Sequence, residues 1–290
     1  MTDQVSFDAL LPPAMAAKAE GIGVKKASLD TVGMFFLAVL AGAFIGCGAI
    51  FATTVLAGAG SLAYGVQRLL GGLVFTLGLI LVVVGGSELF TGNNLIIMAF
   101  MSGKIGISAL LRNWVIVYTG NFVGSVITAL IMFLSQQFTF GGGAVGLTAL
   151  NIANGKTGLG FVQAVALGIM CNALVCMAVW LCFSARSTTD KILAIIPPIS
   201  AFVAAGFEHS IANMYFIPIG LFIKSWAPAS FWALPALADG GKTAASFANL
   251  TWGNFFIANL LPVTIGNIIG GAVMVGVIYW FIYLRTAPAK

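Results

Sequence analysis

Gly85-Gly86-Ser87-Glu88-Leu89-Phe90-Thr91-Gly92-Asn93-Asn94 and Gly206-Phe207-Glu208-His209-Ser210-Ile211-Ala212-Asn213 are polar, turn-prone interruptions, each set inside an apolar run longer than one membrane crossing requires. A crossing takes about 20 apolar residues to span a hydrocarbon core of roughly 30 Å. Six runs reach that length, at approximately 32–57, 68–100, 112–134, 160–183, 190–223 and 254–284, and the second and fifth contain the interruptions. The chain as a whole is 60% hydrophobic and 7% charged. An ordinary soluble domain carries roughly 25% charged residues, so a water-soluble fold is excluded. The polar stretches near 135–159 and 224–252 are rich in Gly, Ala and aromatics and are read as loops lying on one membrane face.

The two interruptions are related. Aligned on Gly86 and Gly206, they share Gly-x-Glu and an asparagine seven residues on, Asn93 and Asn213. In the third span Asn113 precedes Gly120-Asn121-x-x-Gly124 by seven residues, and in the sixth Asn259 precedes Gly266-Asn267-x-x-Gly270 by seven. Ala38-Val39-x-x-Gly42 and Ala164-Val165-x-x-Gly168 add a weaker echo between the first and fourth spans. Three crossings per copy is an odd number, so the second copy enters the membrane from the opposite side. The expectation is an all-α membrane protein of six transmembrane helices, built as two inverted three-helix repeats (about 32–134 and 160–284) with two broken helices. A channel domain over 31–285 follows an N-terminal segment, 1–30.

With the N-terminus in the cytoplasm, Lys18, Lys25, Lys26, Lys104, Arg112, Arg186, Lys191, Arg285 and Lys290 fall inside and Arg68, Lys156, Lys224 and Lys242 outside. The positive-inside rule favours that arrangement, and it accounts for the net charge of +5 without a nucleic-acid partner. Asp3, Asp8, Pro12 and Pro13 precede the first apolar run, unlike the basic tip of a cleaved secretory signal. Cys47, Cys171, Cys176 and Cys182 lie in or at the edge of apolar segments and form no close pair, so no metal site or cofactor is expected; membrane lipid is the surrounding partner.

Irregular backbone at mid-membrane depth is tolerated only where it is buried in protein or lines a cavity, so the breaks mark a pathway. His209, the only histidine, stands in one of them beside Glu208. Imidazole titrates near pH 6.5, which lets it lend a proton to a weak-acid anion and recover it. Thr91 in the other break can bond the ring or the substrate. Asn172, mid-span, is expected to face the pathway, and Lys156 to attract anions at its mouth. Glu88 and Glu208 are read as staples that accept hydrogen bonds from the free N–H groups of a helix break. Narrow apolar throats exclude water and ions, and Phe75, Leu79, Leu89, Phe90 and Phe202 are candidates for them. An intramembrane Ser–His enzyme lacks support: there is no Gly-x-Ser-x-Gly elbow, and Ser210 merely adjoins the histidine. A neutral-solute pore has no evident use for a titratable ring.

Gly86-Ser87-Glu88-Leu89-Phe90-Thr91, Gly206-Phe207-Glu208-His209-Ser210-Ile211-Ala212-Asn213-Met214, Asn267-Ile268-Ile269-Gly270-Gly271 and Tyr279-Trp280-Phe281-Ile282-Tyr283-Leu284-Arg285, with Phe7-Asp8-x-Leu10-Leu11-Pro12-x-Ala14-Met15 at the start, resemble the formate/nitrite transporter family, and within it the bacterial formate channels. The resemblance implies an aquaporin-like protomer in a homopentamer, resident in the bacterial inner membrane with both termini cytoplasmic, that passes formate or related small anions such as nitrite or hydrosulfide. It places the family's central threonine and histidine on Thr91 and His209. The pore-mouth lysine and asparagines fall on Lys156, Asn172 and Asn213, and the constriction on Phe75, Leu79, Phe90, Val175 and Phe202. It also implies that residues 1–30 act as a pH-responsive gate.

Overall fold

The computed structural model describes residues 9–286; Asp3, Phe7, Asp8 and Lys290 lie outside the described residues. Ten helices carry the architecture: α1 (Pro12–Ala27), α2 (Thr31–Leu56), α3 (Tyr64–Gly85), α4 (Phe90–Met101), α5 (Ile107–Leu134), α6 (Ala144–Thr157), α7 (Phe161–Ser184), α8 (Thr188–Ala205), α9 (Ser210–Trp226) and α10 (252–283). Six helices are long and apolar enough to cross a membrane, the last counted over Ala244–Tyr283. The predicted second span is α3 plus α4 and the fifth is α8 plus α9, parted at the interruptions.

Each break has the same local cause. α3 ends at Gly86 (φ +79) and α8 at Gly206 (φ +78), left-handed positions that glycine adopts without the clash a Cβ would bring. Three extended or turning residues follow, and a new helix starts. Extended backbone at this depth needs partners, and they come from distant elements. The N–H of Glu88 donates to Leu37 O at 3.2 Å, and that of Glu208 to Leu167 O at 3.3 Å.

The repeated Gly-Asn-x-x-Gly motifs now have a physical meaning. A Cβ at Gly124 would lie 1.9 Å from Val39 O, and one at Gly270 2.1 Å from Ile169 O, so α5 touches α2 and α10 touches α7 backbone to backbone. That closeness brings the motif asparagines to the breaks. Asn121 Nδ2 donates to Ala38 O (2.7 Å) and Glu88 O (2.9 Å), while its Oδ1 accepts from Phe90 N (2.9 Å). Asn267 repeats this on Gly168 O (2.8 Å), Glu208 O (2.9 Å) and Ser210 N (2.9 Å). Each amide therefore satisfies three backbone groups that hydrocarbon would leave orphaned.

Outside the long spans, one stretch read as a loop holds a helix, and the N-terminal segment forms another. Residues 144–157 form α6, whose buried Ala149, Leu150 and Ala153 pack against α9; a small apolar stripe at helical spacing has an amphipathic helix as its natural home. In the N-terminal segment, α1 buries Met15, Ala16 and Ala19 among Leu95, Met98, Trp180 and Phe183. Lys18 Nζ donates to Phe183 O at 2.8 Å, and Glu20 pairs with Lys104. Burial, and then the nearby charges of Lys191 and Arg186, lower the Lys18 pKa.

Candidate functional site

The breaks bring Thr91 and His209 together. Thr91 Oγ1 and His209 Nε2 are 3.0 Å apart, and both residues are almost wholly buried. His209 is also the N-cap of α9, since its Nδ1 accepts from the N–H of Ala212 at 3.0 Å. An Nδ1 that accepts carries no hydrogen, so the neutral ring holds its proton on Nε2 and donates it to the threonine hydroxyl. The ring stacks on Phe202 with centroids 5.9 Å apart. α4 and α9 both begin here, so two helix amino termini, the positive ends of their dipoles, converge on this point.

Three cavities lie in this region; His209 lines two of them and Thr91, behind the ring, lines none. One, of about 330 Å³, is lined by residues including Ala19, Ile22, Gly23 and Lys26 of α1, Leu79 of α3, and Glu88 and Leu89 of the break. A second, of about 460 Å³, is lined by residues including Arg68, Phe75, Lys156, Phe202, Glu208, His209 and Asn213. Between them sits a space of about 10 Å³ bounded by Ile45, Phe75, Leu79, Leu89, Val175, Ile199, Phe202 and His209. Leu79 and Leu89 are shared by the first and the middle cavity, Phe75 and Phe202 by the middle and the second. These four apolar side chains therefore stand between the middle space and its two larger neighbours, and His209 lines both the middle space and the second cavity.

Around the centre the two halves build matching ion-pair clamps. Lys156 Nζ meets Glu208 Oε1 at 2.8 Å, and Glu208 Oε2 accepts from Asn213 Nδ2 (2.7 Å) and Asn259 Nδ2 (3.2 Å). Lys26 Nζ meets Glu88 Oε1 at 2.6 Å, and Glu88 Oε2 accepts from Asn93 Nδ2 at 2.7 Å. Asn113 and Asn259 close the two clamps on Lys26 O (3.1 Å) and Lys156 O (2.9 Å). The donors to both glutamates are thus side chains rather than the free N–H groups of a helix break, because α1 and α6 each deliver a lysine across the mouth. Lys156 does line a cavity mouth, as an ion-paired group.

Not every expected residue stands at the passage. Asn172 is wholly buried, and its amide donates to Thr91 O (3.3 Å), Asn94 Oδ1 (2.8 Å) and Asn267 O (2.7 Å). It is absent from the linings of these three cavities. It holds the break that carries Thr91. Phe90 packs edge-on against Tyr118 and Trp114, with centroids 4.9 and 6.1 Å away, and also lines none of the three. The reason is local: Leu89 is extended (φ −110, ψ 123), so successive side chains point to opposite sides, and Leu89 takes the cavity. The residues that sequence reasoning left without a role are Lys26, Asn113, Asn121, Asn259 and Asn267. For the four asparagines the signal was the repeated spacing, which had no partner to explain it until the chain was folded; Lys26 carried none.

Comparison with known proteins agrees with this fold. The formate channel FocA of Escherichia coli K12 is 46% identical over 279 residues, covering 96% of this chain and 96% of its own. A probable formate transporter of Methanothermobacter thermautotrophicus is 38% identical, covering 97% and 98%. A solved pentameric formate channel with formate bound superposes with a TM-score of 0.82 at 51% identity, over 88% of this chain and 98% of the other. A solved ion channel of the same family superposes at 0.77 with 28% identity, over 93% and 98%. The formate/nitrite transporter profile itself matches residues 13–281, a stretch that holds both breaks, both clamps and all six spans but the last two residues of the sixth, and on that ground the chain belongs to the formate/nitrite transporter family.

Proposed function

We propose that the protein is a channel for formate and related small monovalent weak-acid anions, in which His209 and Thr91 exchange a proton with the passing anion between two apolar necks. The observation that carries this reading is the placement of His209, bonded to Thr91, on the wall of a 10 Å³ space flanked by larger cavities. A bare anion is disfavoured at an apolar neck because its charge loses water there; a neutral acid is not. A second proton on the ring must go to Nδ1, which displaces the N–H of Ala212. The charged ring then gives up its Nε2 proton through the Thr91 hydroxyl to the anion, the departing acid returns that proton to Nε2 as it leaves as an anion, and loss of the Nδ1 proton to water restores the neutral capped ring.

The family name fits a transport protein and not an enzyme. Formate is the substrate in the names of relatives from two domains of life; nitrite and hydrosulfide share its size and charge. The pentameric formate channel supports a homopentamer here. Positive-inside counting supports residence in the bacterial inner membrane with both termini cytoplasmic, which turns the α1-lined cavity to the cytoplasm. Ala19, Ile22, Gly23 and Lys26 line that cavity, so tilting of α1 is a means of gating it.

Uptake of radiolabelled formate into proteoliposomes at several pH values, with chloride, nitrite and glycerol as competitors, tests the reading. Saturable, pH-dependent uptake that nitrite inhibits and glycerol does not is the expected result; uptake no faster than in empty vesicles refutes it. A second outcome concerns the necks. Leu79 is 2% exposed and bounds two of the cavities, so Leu79→Ala is expected to raise chloride leak about tenfold by letting water into the throat. A bilayer conductance for chloride equal to that of the native protein would remove Leu79 from the constriction.

A further inference from the structure

Of the charges lining the two large cavities, one does nothing in the scheme above. The α1-side cavity has Lys26 and Glu88, which cancel as an ion pair; the α6-side cavity has Lys156 and Glu208, which also cancel, and in addition Arg68. With the imidazole neutral, the α6-side vestibule is therefore one positive charge richer than its counterpart.

The place of Arg68 is informative. It stands near the amino-terminal end of α3, where a cation opposes the dipole of its own helix, so the stability of α3 does not explain it. Its guanidinium crosses instead to α8, where Nε donates to Ala204 O at 3.0 Å and Nη2 to Val203 O at 2.6 Å. Those carbonyls belong to the last turn of α8, which stops at Gly206, just before Glu208 and His209. A helix that stops inside the protein presents its end carbonyls, equivalent to about half a negative charge, here on the wall of a route meant for anions. Backbone caps serve both breaks, with Val82 O accepting from the N–H groups of Gly86 (3.1 Å) and Ser87 (3.0 Å), Phe202 O from that of Phe207 (3.0 Å) and Val203 O from that of Gly206 (3.1 Å), and the guanidinium comes in addition at the α8 end.

We infer that Arg68 is a positioning and selectivity residue of the α6-side vestibule, an inference that rests on the anion-channel reading. It neutralises the carbonyl end of the broken helix α8, anchors the turn that carries Phe202 and His209, and leaves a surplus positive charge that concentrates small monovalent anions at this mouth. The two mouths of the channel are consequently unequal towards formate.

Currents through the full-length protein in a planar bilayer, with sodium formate added to one side at a time at low and high ionic strength, test this. In Arg68→Gln the half-saturating formate concentration at the α6-side mouth is expected to rise about threefold to tenfold, with its salt dependence flattened. The other mouth keeps its native value. Arg68→Lys, which keeps the charge, should restore most of the half-saturation. An unchanged half-saturation at both mouths, or an equal loss at both that lysine does not rescue, overturns the inference. The native protein alone gives an independent check, because raising ionic strength must weaken formate binding more at one mouth than at the other; equal sensitivity overturns the inference even where Arg68→Gln fails to assemble. Native protein that carries no formate current overturns the channel reading itself, an outcome distinct from a formate current indifferent to Arg68.

Discussion

His209→Ala is expected to abolish the pH dependence of formate flux, because the ring is the proton-exchanging group of the proposed mechanism, and to lower the flux at least about tenfold, or about 1.4 kcal/mol of barrier. Two jobs are lost together. The substitution removes the Nε2 group 3.0 Å from Thr91 Oγ1, and it removes the Nδ1 acceptor that caps α9 through Ala212 N. The lost cap alone costs about 1 kcal/mol of stability. His209→Asn separates the two roles, because an asparagine oxygen can still cap the helix but does not titrate. Thermal unfolding of the Asn variant should therefore approach the native curve, while its flux stays flat with pH. Proteoliposome uptake at matched protein density is the measurement. If both variants follow the native pH profile, the ring is a cap and nothing more, and the proton-exchange mechanism fails.

Asn267→Leu is expected to destroy the assembled protein. Leucine has the same number and branching of side-chain heavy atoms, is somewhat larger and carries no polar atom, so it occupies the space while stripping Gly168 O, Glu208 O and Ser210 N of their partners. Each orphaned buried group costs about 1–3 kcal/mol, so the loss is on the order of 5 kcal/mol, comparable with the whole folding stability of many domains. The polypeptide should still insert, since its apolar content is unchanged. Gel filtration in mild detergent should find aggregate in place of a defined oligomer, and the equivalent Asn121→Leu should behave alike because it strips Ala38 O, Glu88 O and Phe90 N. A folded oligomer with a native melting temperature would show that the breaks hold their shape without these amides.

The spans and breaks could be read directly because they answer to a one-dimensional constraint. Apolar length must match bilayer thickness whatever the neighbours do, and a Gly-x-Glu inside an overlong run has no other physical use at that depth. The Gly-Asn-x-x-Gly motifs were visible as pattern and silent as chemistry, since Asn121 reaches Ala38, 83 residues away in sequence. The α6 stretch was hidden for a different reason: as a short helix with polar ends it gives no membrane signal, although its lysine completes a clamp.

Hydropathy and spacing thus suffice for the six crossings, the paired interruptions and the singling out of His209, because each is a property of local composition. Which side chains face the passage is not such a property. Leu89 and Phe90 are neighbours of similar character, yet one bounds the middle cavity and the other packs against Tyr118; an extended residue at the break separates them. The tautomer of His209 rests on an amide three residues on, and the clamp on Glu88 rests on a lysine from a helix that precedes all six spans. Such outcomes depend on close backbone approach between elements far apart in the chain, and that geometry exists only once the helices have packed.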